Sequence, residues 1–367
     1  MQTQTTQGQD PRNNVFQGLS GILYAACEPI APSYRIQSTA AAACADAVCP
    51  GGLAGKRVLD VGCGFGTTAL AIAAHAPAEI VCADTSQVHL NLLEHTFFGS
   101  KSLESILRSV EAEKVLGRYF EPTVTFLESM RREFRESRFV RRGGKLRTVL
   151  ASSLDLTSEM LGGEVDAIVG NNFLHWPVNQ RRAEHVKAGV EPIWALAKAQ
   201  DDALQALVRV KKRDGIVALL EPIDFVTTKD DQAYQDMAEH ALANHPAFVA
   251  LHRGINDLLK TRYDIDRKMP ALSPMFTLEN MSEVFRRNCL NLLNVAQFER
   301  VMPVTYGDAL DFMFVRLPMV LGNLDIPFDA KFALAKEIEV RLRFEATEDR
   351  KILDTPLHGQ YFIFLAK

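Results

Sequence analysis

Val58-Leu59-Asp60-Val61-Gly62-Cys63-Gly64-Phe65-Gly66-Thr67-Thr68 is the stretch that decides how the chain is read. An apolar run reads as a buried strand with an acid near its end. Glycines follow at alternate positions, and an alanine- and leucine-rich helix comes next. A strand-to-helix turn this tight needs residues without Cβ atoms, so that the backbone can bend and approach a ligand closely. The helix start adds free N–H groups and an electropositive end.

Two cofactor classes use such turns. The dinucleotide fingerprint places a third glycine three residues after the second, and here that position is Thr67. The pattern from Asp60 to Gly66, acid-x-Gly-x-Gly-x-Gly, instead resembles motif I of the class I methyltransferases that use S-adenosylmethionine and release S-adenosylhomocysteine. The resemblance implies that Gly62, Gly64 and Gly66 pack against the methionine part of the cofactor. It also implies that Asp60 orients the cofactor's amino group through the loop.

A second apolar run, Glu79–Asp84, ends in an acid about twenty residues after the loop, where sheets of this kind hold ribose hydroxyls. A carboxylate offers two acceptor oxygens to two vicinal donors, so Asp84, with Thr85 beside it, is the ribose candidate. The alternative is a helix N-cap at this turn. Arg147–Ala151 reads as the third strand. In the family, an acid or small polar residue after it meets the adenine amino group, which makes Asp155, Ser153 or Leu154 the candidate.

Val165–Trp176 resembles motif IV, a central strand whose far end lies beside the transferred methyl. That resemblance places Asn171 and Asn172 at the cofactor and Trp176 at the substrate pocket wall. The Asn-Pro-Pro-aromatic signature of adenine and glutamine amino-group methyltransferases does not occur there. His175 is a candidate general base, since imidazole titrates near neutrality; its alternative role is capping the strand end. Ile216–Leu220 reads as strand five, and Glu221 at its end is a candidate base or substrate anchor, or else a surface acid beside Pro222.

The expected fold is α/β: a Rossmann-like, mainly parallel sheet of seven strands with helices on both faces. Phe298–Val304 and Tyr361–Leu365 supply its last strands, the final one antiparallel. Residues 1–50 read as a polar tail and helical lid, with Tyr24, Tyr34 and Arg35 able to reach a ligand. Residues 51–98 and 147–223 form the core, 99–146 a helical insertion, 224–295 a helical substrate cap, and 296–367 the end of the core. Ile193, Leu196, Leu204, Leu207 and Val208 are expected to face the sheet from a helix at 192–210, and further helices are expected at 309–321 and 329–343.

Composition sets the remaining limits. With 367 residues, 47% hydrophobic and 23% charged, the chain can bury a sizeable core. A net charge of −4 argues against a dominant nucleic-acid face. Residues 131–147 nevertheless hold eight basic side chains against Glu133 and Glu136; they read as a solvated helix face or as a surface for an anionic substrate or carrier protein. The six cysteines form no C-x-x-C pair and read as reduced thiols. His240, His245 and His252 match no metal-ligand spacing. Without a secretory signal or an apolar run of about 18 residues, a cytoplasmic location is expected. Met269, Met275, Phe276 and Met281 are candidates for an adaptable apolar pocket.

Taken together, the sequence is read as a methyltransferase acting on a small secondary-metabolite, lipid-like or aromatic molecule, with a homodimer left open. An RNA methyltransferase using residues 131–147 and a non-catalytic cofactor-binding scaffold are the alternatives.

Overall fold

The computed structural model describes residues 18–30, 34–222, 225–227, 256–262, 272–274, 278–302 and 357–367, with isolated positions at 264 and between 330 and 344. Helices α1 (Gly18–Ile30) and α2 (Tyr34–Val48) precede the alternation β1 (Arg57–Val61), α3 (Thr67–Ala73), β2 (Glu79–Asp84) and α4 (Gln87–Phe98). Next come α5 (Leu103–Ser109), α6 (Ala112–Leu116), α7 (Phe120–Glu136) and α8 (Arg138–Arg141), which lead into β3 (Lys145–Leu150). The chain continues through α9 (Ser158–Leu161), β4 (Val165–Asn171), α10 (His175–Lys187), α11 (Pro192–Val208) and β5 (Lys211–Pro222). Short strands β6 (Phe225–Thr227) and β7 (Leu272–Pro274), helix α12 (Leu278–Arg287), and strands β8 (Leu292–Met302) and β9 (Leu357–Ala366) complete it.

Seven strands form one sheet in the order β3-β2-β1-β4-β5-β9-β8. From β3 to β5 every pairing is parallel, and β9 lies antiparallel to both β5 and β8. This is the Rossmann-like sheet with a reversed last strand that the sequence leads one to expect. The pairing reverses direction only at β9, so β1, β2, β4 and β5 all end along one edge. Order changes direction beside β1, and ligands in open α/β sheets bind at such a switch point.

Side-chain alternation sends each strand into two cores. Val58, Ile80, Ala167, Val169, Ile216 and Ala218 pack beneath α2, α3, α4 and α7. Leu59, Val61, Val81, Ile168, Val217 and Leu219 pack on the other face with α11 and α12. A sheet covered on both faces requires near-continuous apolar strands, and this is why β1 and β4 read so clearly from their residues. Asp60 shares the parity of Val58, so its carboxyl is carried inside, beneath α3.

Several boundaries differ from expectation. Strand β5 starts at Lys211 rather than Ile216. The Asp214-Gly215 turn is a bulge within it, and Lys211 Nζ donates to the carbonyls of Lys212, Arg213 and Gly215 at 3.0, 3.3 and 2.9 Å. Those bonds satisfy carbonyls that the bulge takes out of the ladder. Strand β8 begins six residues before the expected Phe298 because it pairs along the whole length of β9. Ile193 does not face the sheet: it is exposed, as is Trp194, and α11 becomes buried only from Ala195 onward. The stretch expected to be wholly helical after Phe225 contains an antiparallel β6–β7 pair. Met281 is a core residue of α12, not a pocket residue. The expected tail at 1–13, the helix at 309–321 and the side chains of His240, His245, His252, Met269, Met275 and Phe276 lie outside the described residues.

Gly62 couples the loop to β4. Its φ is +66°, and a Cβ there would fall 2.6 Å from that of Phe173. Left-handed backbone costs a non-glycine residue about 1–2 kcal/mol, and overpacking a well-filled core costs about 1–3 kcal/mol more. Gly62→Ala is therefore expected to lower stability by about 2–5 kcal/mol. A melting temperature equal to that of the wild type would show that the loop relaxes freely.

Candidate functional site

The ends of β1, β2 and β4 frame a cleft of about 870 Å³, measured out to its open mouth. The glycine loop forms the floor through Gly62, Cys63 and Gly64, and Asp84, Thr85 and His89 form one side. Ala151, Ser152 and Ser153 follow β3, while Asn171, Asn172, Phe173 and Trp176 follow β4. Tyr24 and Tyr34 cover it from the N-terminal helices. Gly64 has φ +52° and nothing within 4 Å of where a Cβ would stand, so its bare backbone faces the cavity.

Some expected site residues stand elsewhere. Leu154 points into the core, and Asp155 is exposed, because the 3-10 turn Ser153–Asp155 rotates one side chain inward and the next outward. Ser153 alone of that trio reaches the cleft. Gly66 sits below the wall at the start of α3, where a Cβ would meet Phe97 at 3.0 Å. His175 and Glu221 lie beside the cleft rather than in its lining.

Three strand-end acids have different surroundings. Asp84 Oδ2 accepts from Gly64 N at 2.9 Å, and Oδ1 accepts from Ser86 N at 2.8 Å. Glu221 is wholly buried, not a surface acid. Its Oε1 accepts from the Phe173 and Leu174 amides at 3.0 and 2.7 Å, and Oε2 lies 3.1 Å from His175 Nδ1. Asp60 is wholly buried too, yet neither oxygen meets a donor at bonding geometry among the described residues. Burial holds its carboxyl well above the usual range; the Asp84 charge adds to the rise and the Ala69 amide opposes it.

Helix α2 is sewn to the cleft. Asn171 Nδ2 donates to Tyr34 O at 3.1 Å and to Ser38 Oγ at 2.9 Å. Ser38 Oγ lies 2.9 Å from Thr68 Oγ1 at the start of α3. Asn172, held at φ +54°, donates to Gln37 Oε1. Buried Glu28 accepts the Tyr34 and Arg35 amides at 3.0 and 2.7 Å and so caps α2 from α1. Asn171 Oδ1 remains without a partner at 9% exposure. Arg35 does not point to the cleft; it pairs with Glu133 on α7.

The basic stretch 131–147 lies at the other end of the sheet. Lys145 pairs with Glu79 where β2 begins, a strand length of about 15–20 Å from the glycine loop. Part of the stretch is structural: Arg131 donates to the Thr96 and His95 carbonyls at 3.1 and 2.8 Å, and Arg135 donates to Gly99 O at 2.8 Å. Cations at a helix C-terminus offset its negative pole. Arg132, Arg138, Arg141, Arg142 and Lys145 are exposed.

Sequence reading overlooked His89, Phe65, Ser152 and the Gln37–Ser38–Thr68 network. His89 had a signal: it stands three residues after Ser86, whose Oγ caps α4 by accepting its amide at 3.2 Å. That places it over the same turn as Asp84. The network had none, because Gln37 and Ser38 belong to a helix whose pairing is set by tertiary packing. Among the described residues, no cluster of three His, Cys, Asp or Glu side chains could hold a metal, and no helix is long and apolar enough to cross a membrane.

No protein-family model matches the chain, and no curated protein matches it. Among solved structures it is similar to magnesium protoporphyrin IX methyltransferase (ChlM) from Synechocystis with bound SAH, at 12% identity over 80% of this chain and 95% of that one, with a TM-score of 0.41. The cyclopropane synthase MmaA2 from Mycobacterium tuberculosis gives 14% identity, 86% and 79% coverage, and a TM-score of 0.39. A SAM-dependent methyltransferase from Methanosarcina mazei gives 11%, 85% and 91%, and 0.37. Likeness at this level adds nothing to what strand order already establishes.

A carboxyl whose pKa is raised by folding binds its proton more tightly in the folded than in the unfolded chain. The ligand-free protein therefore loses stability as pH climbs through the Asp60 titration. Asp60→Asn is expected to melt above the wild type at about pH 8, with the gap narrowing as the pH falls toward about 5 and the wild-type carboxyl takes up its proton. A gap of equal size at both pH values would exclude Asp60 as the titrating group.

Proposed function

We propose that the cleft binds S-adenosylmethionine and that the protein is a methyltransferase acting on a small molecule. The observation that carries this reading is the cleft's charge. Asp84 lines it and Asp60 lies directly beneath, while no lysine or arginine lines it among the described residues. A nicotinamide dinucleotide would set two phosphates beside these acids without a cation. A sulfonium nucleoside with an ammonium group brings positive charge and donors instead. The partnerless oxygens of Asp60 and Asn171 and the open backbone at Gly64 fit that ligand.

In this reading Gly62 and Gly64 seat the methionine part, with Gly66 holding α3 against the loop, Asp60 and Asn171 face its amino group, and Asp84 with Thr85 takes the ribose. Ser153 faces the base. The bound cofactor supplies a methyl already electrophilic enough for in-line displacement. The protein's own work is to hold the partners at attack distance and to exclude water. Helix α2, bonded to both β4 and α3, supports that exclusion. Glu221 fixes the His175 tautomer: Nδ1–H donates to the carboxylate, so Nε2 is the proton acceptor for a hydroxyl or amine nucleophile. Glu221 is a positioning residue here, since its oxygens are occupied by two amides and the imidazole.

Tyr24, Tyr34 and Trp176 give the cleft an aromatic rim, which favours an aromatic or lipid-like acceptor. An RNA acceptor drew its support from residues 131–147, and those side chains stand at the far edge of the sheet.

Asp84→Ala is expected to weaken S-adenosylhomocysteine binding at least tenfold by calorimetry, as loss of charge-assisted hydrogen bonds implies; unchanged affinity would remove Asp84 from the site. With methyl-labelled cofactor and cell extract, the wild type should label a small molecule. Glu221→Gln should cut that labelling and shift its pH dependence while cofactor affinity stays close to wild type. Wild-type protein that binds cofactor but labels nothing would favour the scaffold.

A further inference from the structure

The arginine-rich turn carries charges that have no role in holding the fold. Ser137 Oγ caps α8 by accepting the Val140 amide at 3.3 Å. Phe139 anchors the turn in the core, its ring centroid 5.8 Å from that of Phe134. Arg138 and Arg142 stand four residues apart, and the Arg142 amide donates to the Arg138 carbonyl at 3.0 Å. Both side chains therefore project from one face of a fixed turn. Both are exposed, and among the described residues neither side chain has a hydrogen bond or an ion pair. Arg131 and Arg135, earlier in the same stretch, instead donate to carbonyls at the end of α4 and just beyond it.

These two arginines line a cavity of about 610 Å³, measured out to its open mouth. Its floor is glycine and alanine: Gly51, Gly52 and Ala54 after α2, and Ala74 at the end of α3. His75 and Asp46 complete the wall. The Asp46 carboxylate already has donors: Oδ1 accepts from Leu53 N at 2.7 Å, and Oδ2 lies 3.3 Å from His75 Nδ1. The ends of α2 and α3 turn their negative poles this way, which draws cations, but their own turns occupy the carbonyls. Ala45 O and Cys49 O receive the Cys49 and Gly52 amides, and Ile72 O and Ala73 O receive the His75 and Ala76 amides. Two guanidiniums without partners thus flank a floor that no bulky side chain fills.

We infer that this cavity binds a small phosphate monoester, with Arg138 and Arg142 as its ligands. A planar guanidinium matches phosphate oxygens two at a time, and two guanidiniums balance the charge of a phosphate dianion. Like charges four residues apart on a helical turn repel, and an anion held by both removes that repulsion. The site stands apart from the cleft. Helix α3 starts at the glycine loop and ends at this cavity, about 10 Å away along its axis, and the two cavities share no lining residue.

The test is calorimetric titration of inorganic phosphate and of glycerol 3-phosphate into the full chain without cofactor. It is run at about pH 8, where a phosphomonoester is a dianion, and in about 0.15 M salt, which screens diffuse surface attraction. The wild type should bind both ligands saturably. Arg138→Gln and Arg142→Gln should each bind them about tenfold more weakly, as loss of a charge-assisted hydrogen bond implies. Arg141→Gln removes an equal charge from the same turn but not from the cavity, and should bind as the wild type does. No saturable binding by the wild type, or a loss in Arg141→Gln equal to the other two, would overturn the site and reduce the turn to a diffuse positive face. A single-stranded oligonucleotide that bound more tightly than glycerol 3-phosphate, with all three arginines contributing alike, would overturn it in favour of a nucleic-acid surface.

Discussion

Carboxylates at the ends of neighbouring parallel strands must each be satisfied in a space that water barely reaches, and the cleft is built around that demand. A buried charge without partners is among the costliest groups a protein can hold. Glu221 is fully provided for by two amides and an imidazole. Asp84 receives one amide on each oxygen and keeps lone pairs to spare. Asp60 receives almost nothing. This gradation separates tasks: the satisfied acid holds its surroundings rigid, and the unsatisfied one holds its proton more tightly than a solvated carboxyl does. Phe173 links the two extremes, since its amide is held by Glu221 and its side chain packs under Gly62.

The central sheet was legible because its strands are buried on both faces. Arg57–Val61 and Glu79–Asp84 match expectation residue for residue, as continuous apolar runs between a charge and a turn leave little choice of boundary. Legibility fell where tertiary contacts decide the outcome. Lys211 falls between the expected helix at 192–210 and the expected strand from Ile216, but its ammonium completes three carbonyls inside a bulged strand. Ile193 fitted a helical stripe, yet the first turn of α11 extends past the core. At the site, the glycines and Asp84 could be seen from spacing alone. Asp155 could not be separated from Ser153, because a single 3-10 turn decides which of them faces the cavity.

The N-terminal helices are the least obvious part of the cleft and among the most firmly attached. Glu28 and the Ser38–Asn171–Thr68 cluster replace solvent with fixed partners at the point where α2, α3 and β4 meet. A buried polar network of this kind specifies one arrangement of its members, since any other leaves donors unpaired. The bond from His89 to Gly21 extends the same principle to α1. Residues that come before the first strand thus take part in shaping a cavity that the strands alone would leave open on one side.

The placement of the arginine-rich turn has a kinetic consequence. Arg138, Arg141, Arg142 and Lys145 crowd the edge where the strands begin, in a chain whose overall charge is −4. The opposite edge carries Asp60, Asp84 and Glu221. Among the described residues the two ends of the strands therefore differ in charge, and that difference favours the approach of a positively charged visitor at the end that holds Asp84. Dissolved salt weakens that guidance over a distance of about 10 Å. Ionic strength should consequently govern how often the visitor arrives, while its hold once inside depends on groups that solvent ions scarcely reach.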